Sequence, residues 1–160
     1  MFRAMQGAHS RLAGFLPYRM AITSNAVSGL IAADYGAQFD LKIPEWRIMA
    51  VLGDSGAMTQ RDLVRATLMD KVAVNRACKV LDERGFVGRR PNASDGRSHH
   101  LELTEAGRAV YDQIWPRAFA AYERIFSVLS AKEAATLRDL LDKLLRSVRR
   151  LEDPAAPTGR

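Results

Sequence analysis

Apolar residues recur at helical spacing between residues 70 and 85. Four of them follow the pattern i, i+3, i+4, i+7 that marks one buried helix face: Val74, Ala77, Cys78 and Leu81. The opposite face carries cationic and amide side chains and one valine: Lys71, Val72, Asn75, Arg76 and Lys79. Asp70 can cap the amides of the first turn, and Gly85 can take the left-handed conformation that ends a helix. The pattern therefore predicts an amphipathic helix. Its outer face carries only positive charges, whereas a face that is merely solvated usually carries both signs.

The period then changes from helical to alternating. Residues 86 and 87 begin a strand that residues 89–91 (RRP) end, and the sequence NASDG at 92–96 suits a tight turn. In 100–103 two leucines alternate with a histidine and a glutamate, so one face of the second strand packs inward and the other meets solvent. Thr104 has the character of a helix start. The segment is thus predicted to form a β hairpin between two helices.

Three helical patterns precede this part of the chain. The first covers about 10–38 and is entered or interrupted near Pro17. The second starts after Pro44, whose fixed backbone suits a first helical turn, and ends before Gly53. The third is a short helix in 59–68 that opens with a Thr-x-x-Asp capping pair. We expect this short helix to brace the amphipathic helix that follows it.

Two further helical patterns follow the hairpin. One runs from Thr104 to about residue 129 with Pro116 inside it, and the other starts at Ser130, with Glu133 as its capping-box partner. The last helix carries a long apolar stripe: Leu137, Leu140, Leu141, Leu144, Leu145, Val148 and Leu151. Terminal helices can bury such stripes against each other or against a second subunit. We favour the second subunit, and therefore a homodimer.

The order helix, helix, β hairpin is the winged helix-turn-helix plan. Two segments resemble the MarR family of bacterial regulators: DKVAVNRACKVLDERGFVGRR at 70–90 and DGRSHHLELTEAG at 95–107. They stand where that family has its recognition helix with the first wing strand, and its Asp-x-Arg wing with a Leu-Thr-x-x-Gly sequence. The chain departs from the family at 72–74, where members often carry Ser or Thr. The resemblance implies a dimer that binds double-stranded operator DNA.

The predicted fold is mostly α with a small β wing, organised as one domain over 1–160. A winged helix-turn-helix part occupies 44–104, amino- and carboxy-terminal dimerisation helices occupy 8–40 and 105–151, and a flexible tail occupies 152–160. Two such subunits would present two recognition helices to half-sites about 34 Å apart on a near-palindromic operator.

Charge and composition support this interpretation. The chain has 160 residues, 48% of them hydrophobic, and a formal charge of +6, which favours polyanionic partners. Residues 58–100 hold nine Lys or Arg against five Asp or Glu. No apolar run approaches the ~20 residues of a membrane span, and no signal peptide is recognisable. We expect a cytoplasmic protein without a membrane partner.

Residues for DNA contact come from the helix, its brace and the wing. At the hairpin tip, Arg97 can enter a narrow minor groove with Asp95 orienting it, although a solvated turn with a surface ion pair is the alternative. Thr59 and Gln60 can offer a helix amino terminus to a phosphate, although Thr59 can also be only a cap. The predicted DNA-binding residues are Thr59, Gln60, Lys71, Val72, Asn75, Arg76, Lys79, Arg89, Arg90, Asp95 and Arg97.

A candidate effector site lies in the first helix, where cationic and hydroxyl groups stand beside aromatic side chains. An arginine can bind a carboxylate bidentately while aromatic walls cover a ring. The FLPYR sequence at 15–19 is also similar to regulators that respond to hydroxycinnamates and related aromatic acids. The alternative is a dimer helix with surface cations. The predicted ligand-binding residues are His9, Arg11, Phe15, Tyr18, Arg19, Thr23, Trp46 and Trp115.

Other chemistries find little support in the sequence. Cys78 lies on an apolar face, which argues against a redox sensor. His99 and His100 are adjacent on a strand and point to opposite faces, and no zinc-site spacing is present. The sequence has no phosphate loop, nucleophile elbow or convincing triad. We predict no metal, no cofactor and no enzymatic activity. The predicted function is a repressor that a small aromatic acid releases from its operator. The alternative is a constitutive or architectural DNA-binding protein without an effector.

Overall fold

The computed structural model of the chain describes residues 11–152, apart from the side chains of Asp95 and Arg97. It is mostly helical with a small β wing, as predicted. Two compact units share the chain, one ending at Ala121 and the other beginning at Tyr122. The predicted tail, beyond its first residue, lies outside the described residues, and so does Ser10. A helix start near residue 10 is wrong, because residues 11–15 are not helical, and the alternative entry near Pro17 is confirmed, because α1 begins at Leu16. The elements are α1 (Leu16–Phe39), α2 (Ile43–Ser55), β1 (Met58–Thr59), α3 (Gln60–Thr67), α4 (Lys71–Glu83), β2 (Val87–Asn92), β3 (Asp95–Leu103), α5 (Glu105–Phe126) and α6 (Ala131–Glu152).

The core of the first unit forms where the apolar faces of α1 to α5 meet the wing strands. The buried face predicted for α4 is confirmed, since none of its four apolar residues is more than 3% exposed. Leu63 of α3 is also fully buried, and this short helix packs on α4 as expected. The core side chains are Tyr35, Leu41, Trp46, Ile48, Met49, Leu52, Leu63, Val74, Ala77, Cys78, Leu81, Val87, Leu101, Ile114 and Ala118.

The wing is an antiparallel sheet in the order β1-β3-β2. The sequence did not predict β1, whose two residues pair with Leu101 and His100 of β3. The predicted end of the first wing strand is confirmed to within one residue, because residues 89–91 pair with β3 and β2 ends at Asn92. Since β2 is an edge strand, Pro91 can lie there without leaving a ladder hydrogen bond unmade, and the register shifts directly after it.

The prediction that α2 ends before Gly53 is also wrong. The helix continues to Ser55 and ends at Gly56, whose φ of 81° is left-handed. Gly53 is needed for a different reason: a Cβ atom there would lie 2.5 Å from Cε2 of Tyr111. The glycine therefore allows α5 to pack closely against α2, and Nη1 of Arg108 on α5 donates to the Gly53 carbonyl at 3.1 Å.

An arginine connects the end of α1 to the end of α4. Arg84, the residue after α4, donates from Nη2 to the Phe39 carbonyl and from Nη1 to the Asp40 carbonyl, both at 2.7 Å. Its guanidinium also lies 4.7 Å from the ring centroid of Phe86. These bonds satisfy carbonyls at the carboxyl end of α1 that have no partner within the helix.

The Leu-Thr-x-x-Gly sequence closes the base of the wing. The Thr104 hydroxyl donates to the Gly85 carbonyl at 2.6 Å and accepts from the Gly107 amide at 3.0 Å, so it caps α5 as predicted. The Thr104 amide donates to the Phe86 carbonyl at 3.1 Å. A Cβ atom at Gly107 would collide with that same carbonyl, which explains the glycine.

The second unit contains the end of α5 and all of α6. Its capping box is confirmed: the Ser130 amide donates to Oε2 of Glu133 at 2.8 Å, and the Glu133 amide donates to the Ser130 hydroxyl at 3.3 Å. None of the α6 residues is buried in the described chain. The predicted stripe is therefore exposed apart from the half-buried Leu145, with Leu141 at 44% and Leu144 at 47%. Across residues 11–152, no helix is both long and apolar enough for a bilayer.

Candidate nucleic-acid interface

The outer face of α4 is the most distinctive surface of the winged part. Oδ1 of Asp70 accepts from the Ala73 amide at 2.8 Å, which fixes the first turn of the helix. Because the opposite face is buried in the core, the residues predicted for DNA contact are all exposed: Lys71, Val72, Asn75, Arg76 and Lys79. Lys79 lies 3.8 Å from the exposed Glu83 carboxylate. Within the described part of the chain, the side chains of Asn75 and Arg76 make no hydrogen bond or ion pair, so both can bind an external group.

The amino terminus of α3 is held by its own capping box. The Thr59 hydroxyl accepts from the Asp62 amide at 3.2 Å and donates to the Asp62 carboxylate at 2.6 Å. The Thr59 amide also donates to that carboxylate, at 3.3 Å, and the bonds that the Thr59 hydroxyl and amide donate lower the pKa of Asp62. The cap thus occupies the Thr59 hydroxyl, which favours the structural alternative for this residue. Gln60 follows it at the mouth of a groove.

That groove separates α3 from the wing and has a volume of about 620 Å³. Two arginines and one carboxylate contribute charge to it, and the remaining side chains are mainly hydroxyl, amide and imidazole groups. It is lined by Thr59, Gln60, Arg61, Asp62, Arg89, Asn92, Ser94, Ser98, His99, His100 and Leu101. Arg61 was missed by the sequence reasoning, although its place in the first turn of a helix beside the wing could have identified it.

The two arginines of β2 are each paired with an acid. Nε of Arg89 lies 3.0 Å from Asp82 of α4, and Nη2 of Arg90 lies 3.0 Å from Glu102 of β3. Both pairs are largely exposed, and such pairs contribute only about 0–1 kcal/mol to stability. Each arginine can therefore exchange its carboxylate for a phosphate at little cost.

The hairpin turn is built around Asn92. Its side-chain oxygen accepts from the Ser94 amide at 3.1 Å and from the Ser94 hydroxyl at 2.7 Å, while its amide nitrogen donates to the Ser98 hydroxyl at 2.9 Å. Asp95 and Arg97 belong to β3 directly after this turn. Their side chains lie outside the described atoms, so the Asp95–Arg97 contact stays a prediction.

The candidate effector residues on α1 lie at the surface. Arg19 donates to the Ala13 carbonyl at 3.4 Å, and Phe15 and Tyr18 are 55% and 42% exposed. Arg11 and Thr23 are exposed as well, and His9 lies outside the described residues.

The two tryptophans do not join these α1 residues around one pocket. Trp46 is only 8% exposed and is a core residue, with ring centroids of Tyr35 at 5.5 Å and Tyr111 at 5.8 Å. Trp115 is 48% exposed and also stacks on Tyr111, with ring centroids 5.8 Å apart. In the single chain the Trp46 indole is thus a core side chain, and its contact with a ligand stays a prediction.

Cys78 is fully buried, and burial raises the pKa of its thiol to about 11. Because oxidants react with the thiolate, this environment disfavours a redox role. Cys78 acts as a small apolar side chain in the core of α4.

Comparisons with known proteins identify the same architecture. A model of the MarR family matches residues 39–98. A crystallised MarR family transcriptional regulator from Silicibacter pomeroyi is 31% identical with a TM-score of 0.74, over 87% of this chain and 98% of that one. An HTH-type transcriptional repressor of Mycobacterium tuberculosis is 28% identical over 132 residues, which is 82% of this chain and 91% of the relative. BpsR of Bordetella bronchiseptica, whose DNA binding is regulated by 6-hydroxynicotinic acid, is 22% identical with a TM-score of 0.72, over 81% and 97% of the two chains.

Proposed function

The chain belongs to the MarR family of transcriptional regulators, and we propose that it is a homodimeric repressor that releases a near-palindromic operator when a small aromatic carboxylate binds. The relatives and the fold are those of DNA-binding regulators and not of enzymes. The observation that carries the proposal is the outer face of α4, which offers cationic and amide groups on a helix that the core and the Asp70 cap hold rigidly.

In this proposal α4 enters the major groove. Asn75 and Arg76 have the chemistry that reads base edges, and Lys71 and Lys79 supply cations for phosphates. Arg89 and Arg90 exchange their acidic partners for phosphates as the wing approaches the backbone. Gln60 and Arg61 would contact the backbone from the groove beside α3.

The dimer is supported by the apolar side chains that a single chain leaves exposed. In α6 these are the stripe residues, and at the start of α1 they include Leu16 at 64% and Met20 at 43%. Apolar surfaces of this kind mark interaction sites. Two subunits joined through such helices would place two copies of α4 on half-sites about one helical turn apart, roughly 34 Å.

The aromatic effector is supported by the chemistry of α1 and by one relative. Arg19 offers a guanidinium beside Phe15 and Tyr18, a combination that suits a carboxylate attached to a ring. The regulation of BpsR by 6-hydroxynicotinic acid, a heteroaromatic acid, shows this ligand class acting on the same fold. Release of DNA requires the acid to bind more tightly to a dimer whose α4 spacing does not fit the operator.

The alternative is a constitutive regulator without an effector. It is favoured by the exposure of the α1 candidates in a single chain and by the burial of Trp46. The two functions differ in only one property, which is the response of the operator complex to small acids.

The deciding experiment starts with selection of bound fragments from genomic DNA. Affinity is then measured by fluorescence anisotropy on the selected duplex and on a scrambled duplex, at one stated salt concentration because phosphate contacts make binding salt-dependent. A panel of hydroxybenzoates, hydroxycinnamates and 6-hydroxynicotinic acid is added to each complex. If an acid weakens binding of the protein to the selected duplex, the result supports an aromatic carboxylate effector. Equal affinity for both duplexes would contradict the repressor function itself.

Arg19→Ala identifies the carboxylate anchor in the same assay. We expect the variant to bind the selected duplex normally and to lose most of the response to the acid, because a carboxylate among apolar groups needs a charged partner. A variant that responds like the original protein would exclude Arg19 and make Arg11 the next residue to replace.

A further inference from the structure

The turn between α3 and α4 exposes two large apolar side chains. Leu68 and Val72 are 63% and 65% exposed, and they are the exposed large hydrophobic residues among the described side chains of 43–103. Leu68 ends α3 with a left-handed φ of 53°, so it precedes the helix that carries the cationic face. Val72 lies in the first turn of α4, on the same side as Asn75 and Arg76, which follow it at i+3 and i+4.

Helix formation does not explain a valine at position 72. Valine is a weaker helix former than alanine, because its branched side chain loses freedom against the preceding turn. The same restriction fixes its methyl groups, since one χ1 rotamer dominates in a helix. The Asp70 cap holds this turn in place through its 2.8 Å bond to the Ala73 amide. The methyl groups of Val72 are therefore presented to solvent in a defined position.

We propose that Val72 is a specificity-determining residue that recognises a thymine in each operator half-site by contact with its 5-methyl group. The inference rests on the proposed function, because it requires α4 to lie in the major groove. The first residues of a recognition helix are those that reach base edges. The thymine methyl projects into that groove and is the one apolar feature by which the major groove distinguishes the four base pairs. Contact with it would cover the exposed valine, while Asn75 and Arg76 bind polar edges next to it.

Uracil gives a selective test, because it lacks the methyl group and keeps the pairing and the O4 acceptor of thymine. Duplexes are selected from a random library with the original protein, and each thymine of one half-site is replaced in turn by deoxyuridine. Affinities are measured at one salt concentration for the original protein, Val72→Ala and Val128→Ala. Val128 is 82% exposed and lies in the second unit, outside the winged part, so it provides a matched valine-to-alanine control.

The original protein and Val128→Ala should lose about four-fold in affinity at one thymine position, which corresponds to one buried methyl group. Val72→Ala should bind the thymine duplex about four-fold more weakly than the original protein and should not distinguish thymine from uracil at that position. Since Val72 is exposed and alanine is the better helix former, Val72→Ala should unfold at the same temperature as the original protein or slightly above it.

Two results would overturn the inference and leave the proposed function intact. One is sequence-specific binding that no uracil substitution weakens. The other is a Val72→Ala variant that keeps the full difference between thymine and uracil, because the methyl group would then be recognised by another side chain. A selection that enriches no sequence would instead contradict the proposed function, and the inference with it.

Discussion

At the residue scale, the proposed function assigns DNA recognition to one face of α4 and stability to the other. Arg76 is exposed and without a recorded partner in the described chain, whereas Leu81 is fully buried. Side chains only a few positions apart on one helix should therefore give different phenotypes when they are truncated.

We expect Arg76→Ala to reduce the preference for operator over scrambled DNA by about 1–3 kcal/mol, the usual range for a lost bidentate base contact. Leu81→Ala should instead lower the free energy of unfolding by about 2–5 kcal/mol, because buried leucine atoms are removed. Anisotropy titrations and urea unfolding measure the two effects, with Asn75→Ala as a second variant of the outer face. A thermally silent Leu81→Ala would show that the faces are assigned wrongly.

A second prediction at this scale concerns the Asp62 cap. Hydrogen bonds from Thr59 lower the pKa of Asp62 in the folded state, so the cap contributes its full stabilisation above the unfolded aspartate pKa of about 3.9. That contribution is lost as the pH falls through the lowered folded pKa. Asp62→Ala removes the capping-box partner of Thr59 and should thus be less stable than the original protein near neutral pH, by about 0.3–1.5 kcal/mol, and the difference should shrink in acid.

Thermal unfolding of the original protein and of Asp62→Ala between about pH 6 and about pH 2.5 measures the difference in their stability across the pH range in which an aspartate titrates. Thr59→Ala provides the control background, because it removes the donor that lowers the pKa. If the difference in stability between the original protein and the Asp62→Ala variant stays constant down to the acid end, the hydrogen bonds are not the source of the stabilisation.

At the element scale, local patterns predicted the helices and non-local contacts decided the rest. The α4 helix, the capping boxes at Thr59 and Ser130 and the hairpin could be read from the sequence because each depends on neighbouring residues. The strand β1 could not, since two residues carry no period and acquire their conformation only by pairing with β3. The ring neighbours of Trp46 could not be predicted for the same reason: Tyr35 and Tyr111 come from distant elements.

The packing of α2 against α5 at Gly53 allows the importance of such non-local contacts to be tested. Gly53→Ala should destabilise the protein by about 1–3 kcal/mol, because the new methyl group lies within 3 Å of the Tyr111 ring and has to displace it. Gly29→Ala is the matched control in α1, where nothing lies within 4 Å of the new Cβ atom. It should be neutral or stabilising by up to about 1 kcal/mol, because alanine is the better helix former.

Urea unfolding of both glycine variants measures the contrast. Equal stabilities for the two would mean that Tyr111 moves aside freely and that Gly53 is not required for the approach of α5.

At the scale of the whole molecule, the proposed dimer depends on a surface that one chain leaves uncovered. We expect Leu141→Asp to produce monomers that no longer bind the operator, although α6 belongs to a unit separate from the winged part. The carboxylate would have to be buried without a partner in the dimer, which is strongly unfavourable. Loss of the dimer also removes the second half-site contact, so affinity for the full operator should fall to that of one isolated half-site.

Ala135→Asp is the control, because it introduces the same charge on the opposite side of α6, outside the stripe. It should leave both the dimer and the operator affinity unchanged. Sedimentation velocity and anisotropy on full and half operators measure assembly and binding together. A Leu141→Asp protein that sediments as a dimer and binds the full operator normally would place the subunit interface elsewhere on the molecule.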